Sequence, residues 1–98
     1  MYIVRDTMFL KFGHFRDART LVEDAEKRNL LPKAVSQRIL SDFTGHSYRL
    51  ILEQGFNTLA EYEEFLHAGL ATYEWKQWYE QFKQHVERSE REILKVVK

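Results

Sequence analysis

The sequence predicts an α+β fold with the order β-α-β-β-α-β, in which two helical segments cover one face of a four-stranded antiparallel sheet. Three observations carry this. An alternating apolar stretch opens the chain, and two strand-like runs flank Gly45. Thr58 to Val86 then holds seven of the fourteen aromatic residues and both tryptophans. So much apolar area cannot stand alone and needs a sheet to cover.

Tyr2 to Phe12 alternates as a strand, with Tyr2, Val4, Met8, Leu10 and Phe12 on one face and Ile3, Arg5, Thr7, Phe9 and Lys11 on the other. Gly13 interrupts it. Phe15, Ala18, Leu21, Val22 and Ala25 mark one side of a helix supported by the acid-before-base pairs Glu23/Lys27 and Asp24/Arg28. Lys27 and Arg28 suit the negative end of its dipole, and Asn29 can take the left-handed stop. Pro32 forbids continuation, so the helix ends by about Asn29.

Val35 to Phe43 and Ser47 to Gln54 form a hairpin through Thr44, Gly45 and His46. Val35, Ile39 and Phe43 oppose Arg38 and Leu40 across one strand; Tyr48, Leu50 and Leu52 oppose Arg49, Ile51 and Glu53 across the next. Gly55 and Asn57 are expected to turn the chain. Thr58 stands three residues before Glu61, a capping box opening a helix whose apolar face is Leu59, Tyr62, Leu66 and Leu70. That phase fails after Tyr73, where Trp75, Trp78, Tyr79, Phe82 and Val86 define a new stripe. The segment is therefore two helices or one broken helix, joined near Gly69 to Tyr73, with Thr72 a second N-cap. After the polar string Glu87 to Glu90, the residues Ile93, Leu94, Val96 and Val97 predict a short last strand whose lysines discourage edge pairing.

The 98 residues bound one domain spanning 1–98, with 15 basic and 15 acidic residues that leave no net field to gather nucleic acid or an anionic membrane. There is no cysteine, hence no disulfide framework, thiolate zinc site or thiol nucleophile. The charged N-terminal stretch is unlike a signal peptide, and no apolar run reaches the ~20 residues of a spanning helix. A cytoplasmic location is the expectation. Outside the helix side, the second sheet face is mixed, with Ile3, Thr7, Phe9, Leu40 and Ile51 on it, plus either Ile93 or Leu94. A solvated face alternates to polar residues, so this one suggests burial against a second copy, as a homodimer.

The chain resembles the dimeric α/β-barrel proteins, which have a ferredoxin-like fold, and within them the small uncharacterised NIPSNAP-like members. The resemblance covers nearly the whole chain. It rests on the element order and on four patterns: KFGHF at Lys11 to Phe15, LSDFTGHSYRLILE at Leu40 to Glu53, TLAEYEEF at Thr58 to Phe65, and REILKVV at Arg91 to Val97. It implies two sheets paired about a two-fold axis, with Asp42, Thr44 and Gly45 at the family's hairpin tip. Members include cofactor-independent monooxygenases, haem-degrading enzymes, small isomerases and proteins without known activity, so the fold does not fix the chemistry. The asparagine, tryptophan and histidine set of the haem-degrading members has no counterpart motif here, which argues against haem; no cofactor is expected.

Arg5, Arg38, Arg49 and Arg91 fall on the mixed face if the last strand turns its odd residues that way. With Thr7, Phe9, Leu40 and Ile51 they would hold a small acidic ligand, because a guanidinium fork matches a carboxylate. The competing reading pairs them with Asp6, Asp42, Glu53, Glu90 or Glu92. His14, His46, His67 and His85 are widely separated, and Glu64 with His67 is a single Glu-x-x-His unit where di-metal helical sites need two, so no metal is expected. His67 is expected at the boundary of an apolar helix face. His14 and His46 beside turns are the candidates for proton transfer, against the plain reading that loops collect such residues. The aromatic cluster from Tyr73 to Phe82 reads first as core. Together these predict a protein that binds a small organic molecule between sheet and helices. Alternatives are a cofactor-independent monooxygenase or isomerase, and a structural subunit without a ligand.

Overall fold

A computed structural model describes residues 1–45 and 48–98. Strand β1 (Tyr2–Leu10) leads through Gly13, at φ 83°, into helix α1 (Phe15–Lys27). Strands β2 (Ser36–Ser41) and β3 (Arg49–Phe56) follow, then α2 (Leu59–Ala68), a 3₁₀ turn at Gly69–Ala71, α3 (Tyr73–Phe82) and β4 (Val86–Lys95). The sheet is antiparallel in the order β2-β3-β1-β4, the ferredoxin-like arrangement.

The helix boundaries follow the predicted signals. Asn29 adopts φ 57°, while the Arg28 and Leu30 amides donate to Asp24 and Ala25 carbonyls at 3.0 and 2.9 Å, closing α1 with a left-handed residue. The Thr58 hydroxyl accepts from the Glu61 amide and the Thr72 hydroxyl from the Trp75 amide, so each helix has its own side-chain cap.

One side of the sheet packs on the helices. Met8, Leu10, Leu50 and Leu52 meet Ala18, Val22 and Ala25 of α1 and Trp78 and Phe82 of α3, while Val4, Phe56 and Tyr62 form a second cluster. Trp78 stacks on Phe82 with centroids 4.8 Å apart, and its indole N–H donates to the Leu21 carbonyl at 2.7 Å. Gln54, fully buried in β3, donates to the Pro32 carbonyl and the Gln37 side chain, satisfying its amide.

The structure corrects four expectations. Gly55 lies inside β3, flanked by Ile3 and Ser36 in the neighbouring strands, and a Cβ there would collide with the Ser36 hydroxyl; it marks a close approach within the sheet, not a turn. Strand β2 stops at Ser41, which leaves Phe43 beyond the sheet and fully exposed. His67 is exposed, its Nε2 3.5 Å from a Glu63 carboxylate oxygen, rather than seated at the edge of the buried helix face. Finally, β4 starts at Val86 and runs through the polar string Glu87 to Glu90 before reaching the apolar residues that predict it, because an edge strand exposed along nearly its whole length has no buried face to record in its sequence.

Candidate functional site

The register of β4 decides which arginines share a face. Asp6 is opposite Arg91 and Met8 opposite Ser89, so the odd residues of β4 turn toward the helices and the even ones toward the uncovered side. Arg91 is therefore not with Arg5, Arg38 and Arg49, and Leu94 is the apolar residue that β4 gives the open face. A register irregularity between Phe9 and Leu10, where the facing residues step from Arg88 to Val86, makes this phase unreadable from the first apolar residues of the strand.

On the helix side, a cleft of about 340 Å³ separates β1 and β4 from α3. Trp75, Trp78, Tyr79 and Phe82 line it, with Met8, Val22 and Leu52 beneath and Asp6 and Arg91 at its border. The rings form a near-continuous wall: Trp75 lies 5.1 Å from Trp78 and is stacked on Tyr79 at 6.1 Å. At the polar end the Arg91 Nε donates to Asp6, and the guanidinium carbon lies 5.7 Å from the Tyr62 ring centre. Burial opposes the charge on Arg91, but Asp6 holds its pKa above the ordinary value. Burial likewise pushes the Tyr62 phenol up, against the pull of Arg91. Only one donor of the Arg91 fork is used by Asp6, and among the described residues its two terminal nitrogens have no hydrogen-bond partner.

The open face holds the other predicted residues around a depression of about 440 Å³ lined by Arg5, Thr7, Phe9, Leu40, Arg49, Ile51 and Glu53. These cations are paired. Arg5 donates to Glu53 at 2.7 Å and to Glu92 at 2.9 Å; Arg38 donates to the other Glu53 oxygen at 3.2 Å from Nε; Arg49 donates to Asp42 at 2.6 Å. The Arg38 hydrogen bond, with Arg5 adding to it, holds the Glu53 carboxyl below the usual carboxylate range despite its burial. Arg88, absent from the predicted set, covers the Phe9 ring at 3.7 Å and pairs with Glu90. A correct β4 phase would have found it, since Arg88 and Arg91 lie on opposite faces.

His14 does not reach either site. Its Nδ1 is 2.9 Å from Nδ1 of His85, joining the turn before α1 to the turn before β4, so one ring donates and the other accepts. The 71-residue separation hid this contact. His46 lies outside the described residues. No group of three potential metal ligands occurs among the described residues. A larger groove of about 730 Å³ runs between the α1–β2 connection and α2, but exposed charged side chains such as Arg28, Lys33, Glu61 and Glu64 line much of it.

No family profile and no curated protein matches the sequence. Solved structures do. The chain is similar to a NIPSNAP family protein of unknown function from Agrobacterium tumefaciens, at 18% identity and a TM-score of 0.86 over 98% of this chain and 87% of that one. It is similar to an uncharacterised NIPSNAP domain protein from Burkholderia xenovorans, at 12% identity and a TM-score of 0.86 over 99% and 95%. An antibiotic biosynthesis monooxygenase matches at 15% identity and a TM-score of 0.73, with both chains fully covered. At these identities the likeness shows a shared ferredoxin-like fold.

Proposed function

We propose that the chain binds a small, flat organic acid in the cleft between sheet and helices, as one half of a homodimer paired across the open sheet face. The observation that supports the ligand reading is the free end of the Arg91 fork at the border of an aromatic wall. Ligand sites of a few hundred Å³ combine apolar walls with a few convergent polar groups, and this cleft has both. A planar ring would lie against Trp75 and Tyr79, and its carboxylate would take the terminal nitrogens of Arg91. Arg5, Arg38 and Arg49 then serve the sheet face: their charges are met within the chain, which suits a surface covered by a second copy better than one waiting for an anion.

Titration with 2-naphthoate, followed by tryptophan fluorescence, tests this. Quenching should saturate, and Arg91→Met should weaken binding by roughly tenfold or more, the worth of a charge-assisted hydrogen bond. Arg49→Met should leave it unchanged. Equal losses in both variants, or no saturable quenching by the parent chain, would reject the cleft as an acid site.

The fold shared with a monooxygenase supports an enzymatic second reading. Asp6, beside Arg91, is the carboxylate placed to take a proton from a bound phenol or carbon acid. Oxygen uptake with a dihydroxynaphthalene that persists undiminished in Asp6→Asn would dismiss that role.

A further inference from the structure

The sheet ends on an unusually bare edge. Strand β4 pairs only with β1, spans ten residues and is exposed at nine of them, and no described element covers its outer side. A long exposed edge is a template for another strand unless its side chains refuse one. Those of β4 refuse most partners because they are charged, but they do not refuse a copy of themselves.

Antiparallel pairing of two β4 strands about a two-fold axis normal to the sheet sets the residues on either side of the central one opposite each other. Centring on Glu90, Arg91 or Glu92 puts like charges face to face at the axis. Centring on Ser89 does not. Arg88 then faces Glu90 of the second strand, Glu90 faces Arg88, and the two small Ser89 side chains meet at the axis. Within one chain Arg88 and Glu90 already touch along the open face, so the two copies would close a ring of two arginines and two glutamates. We infer that β4 is a self-pairing edge, joining two copies of this chain in a continuous sheet centred on Ser89.

This contact is distinct from pairing across the open face and does not depend on any ligand. It has a structural consequence for the helix-side cleft, whose border runs along Glu87, Ser89 and Arg91. Two such clefts would lie side by side on the same face of the joined sheet.

The chain has no cysteine, so a single one can report the axis without background. Directly opposed residues in an antiparallel pair place their Cβ atoms about 4.5–5.5 Å apart, within reach of a disulfide after slight adjustment. Ser89→Cys, an exposed and nearly isosteric change, should cross-link into dimers under mild oxidation at least tenfold faster than Lys76→Cys on exposed α3. Adding Glu90→Arg to Ser89→Cys should slow cross-linking about fivefold at low salt, by setting the new arginine opposite Arg88 of the second strand. Thr7→Cys, at the centre of the open face, reports that other pairing separately. Cross-linking of Ser89→Cys no faster than Lys76→Cys overturns the edge contact. Fast cross-linking unaffected by Glu90→Arg overturns the register.

Discussion

Glu53 shows how one side chain sets the character of the open face. Its side chain is only 6% exposed, and its two oxygens are divided between Arg38 and Arg5. A carboxyl held below its unfolded pKa of 4.5 contributes stability that is complete above that value and is lost as pH falls through the folded pKa. Glu53→Gln should therefore destabilise the protein by about 1–3 kcal/mol at neutral pH. The gap between parent and variant in urea melts should narrow steadily below pH 4.5; a constant gap down to acid unfolding would deny Glu53 this role. Trp78 is tested on the opposite side of the sheet. It is 5% exposed, stacked on Phe82 and hydrogen-bonded to the Leu21 carbonyl. Truncation to Ala should cost about 3–5 kcal/mol, while Phe, which keeps most of the packing and loses the N–H, should cost about 1 kcal/mol. Equal losses for both would place the weight on the hydrogen bond.

At the scale of elements, the join between α2 and α3 was legible because its signals are local. The apolar phase slips at Tyr73, Thr72 can cap, and glycine sits at the end of the first helix. Gly69 itself has ordinary helical angles, φ −68° and ψ −42°, so replacing it by Ala should, on propensity alone, stabilise by about 1 kcal/mol. The Phe65 ring occupies the space a Cβ would need. Gly69→Ala is accordingly expected to destabilise by about 1–3 kcal/mol, as overpacking does, and a raised melting temperature would show that Phe65 swings aside freely. What the sequence hid was non-local. The face that Arg91 takes depends on the register between β4 and β1, and the exposed β4 carries no alternation to reveal it. The His14–His85 contact likewise exists only once the two turns are brought together, and Gly55 reads as a turn until neighbouring strands are set on both its sides. Patterns within one element could be read directly; the relation between two edges of the chain could not.

For the whole molecule, the open face decides whether the monomer is complete. Phe9, Leu40 and Ile51 sit half-buried there, interleaved with Arg5, Arg38, Arg49 and Arg88 and with Asp42, Glu53, Glu90 and Glu92. Four positive and four negative side chains cancel, and the described ion pairs engage each of the arginines. Such a surface can be buried against its own copy without leaving uncompensated charge, whereas a face with spare arginines could not. In such a pairing the half-covered apolar residues would supply the driving force, since each would gain further burial at roughly 25 cal/mol per Å². A lysine introduced among them would be repeated in both copies of a two-fold dimer, so its desolvation cost would be incurred twice. Ile51→Lys should therefore convert a dimer at micromolar concentration into a monomer in sedimentation velocity, while the far-ultraviolet circular dichroism of the helices is preserved. A parent chain that sediments as a folded monomer, or an Ile51→Lys variant that remains dimeric, would show that the open face tolerates water and that association, where it occurs, runs through another surface such as the β4 edge.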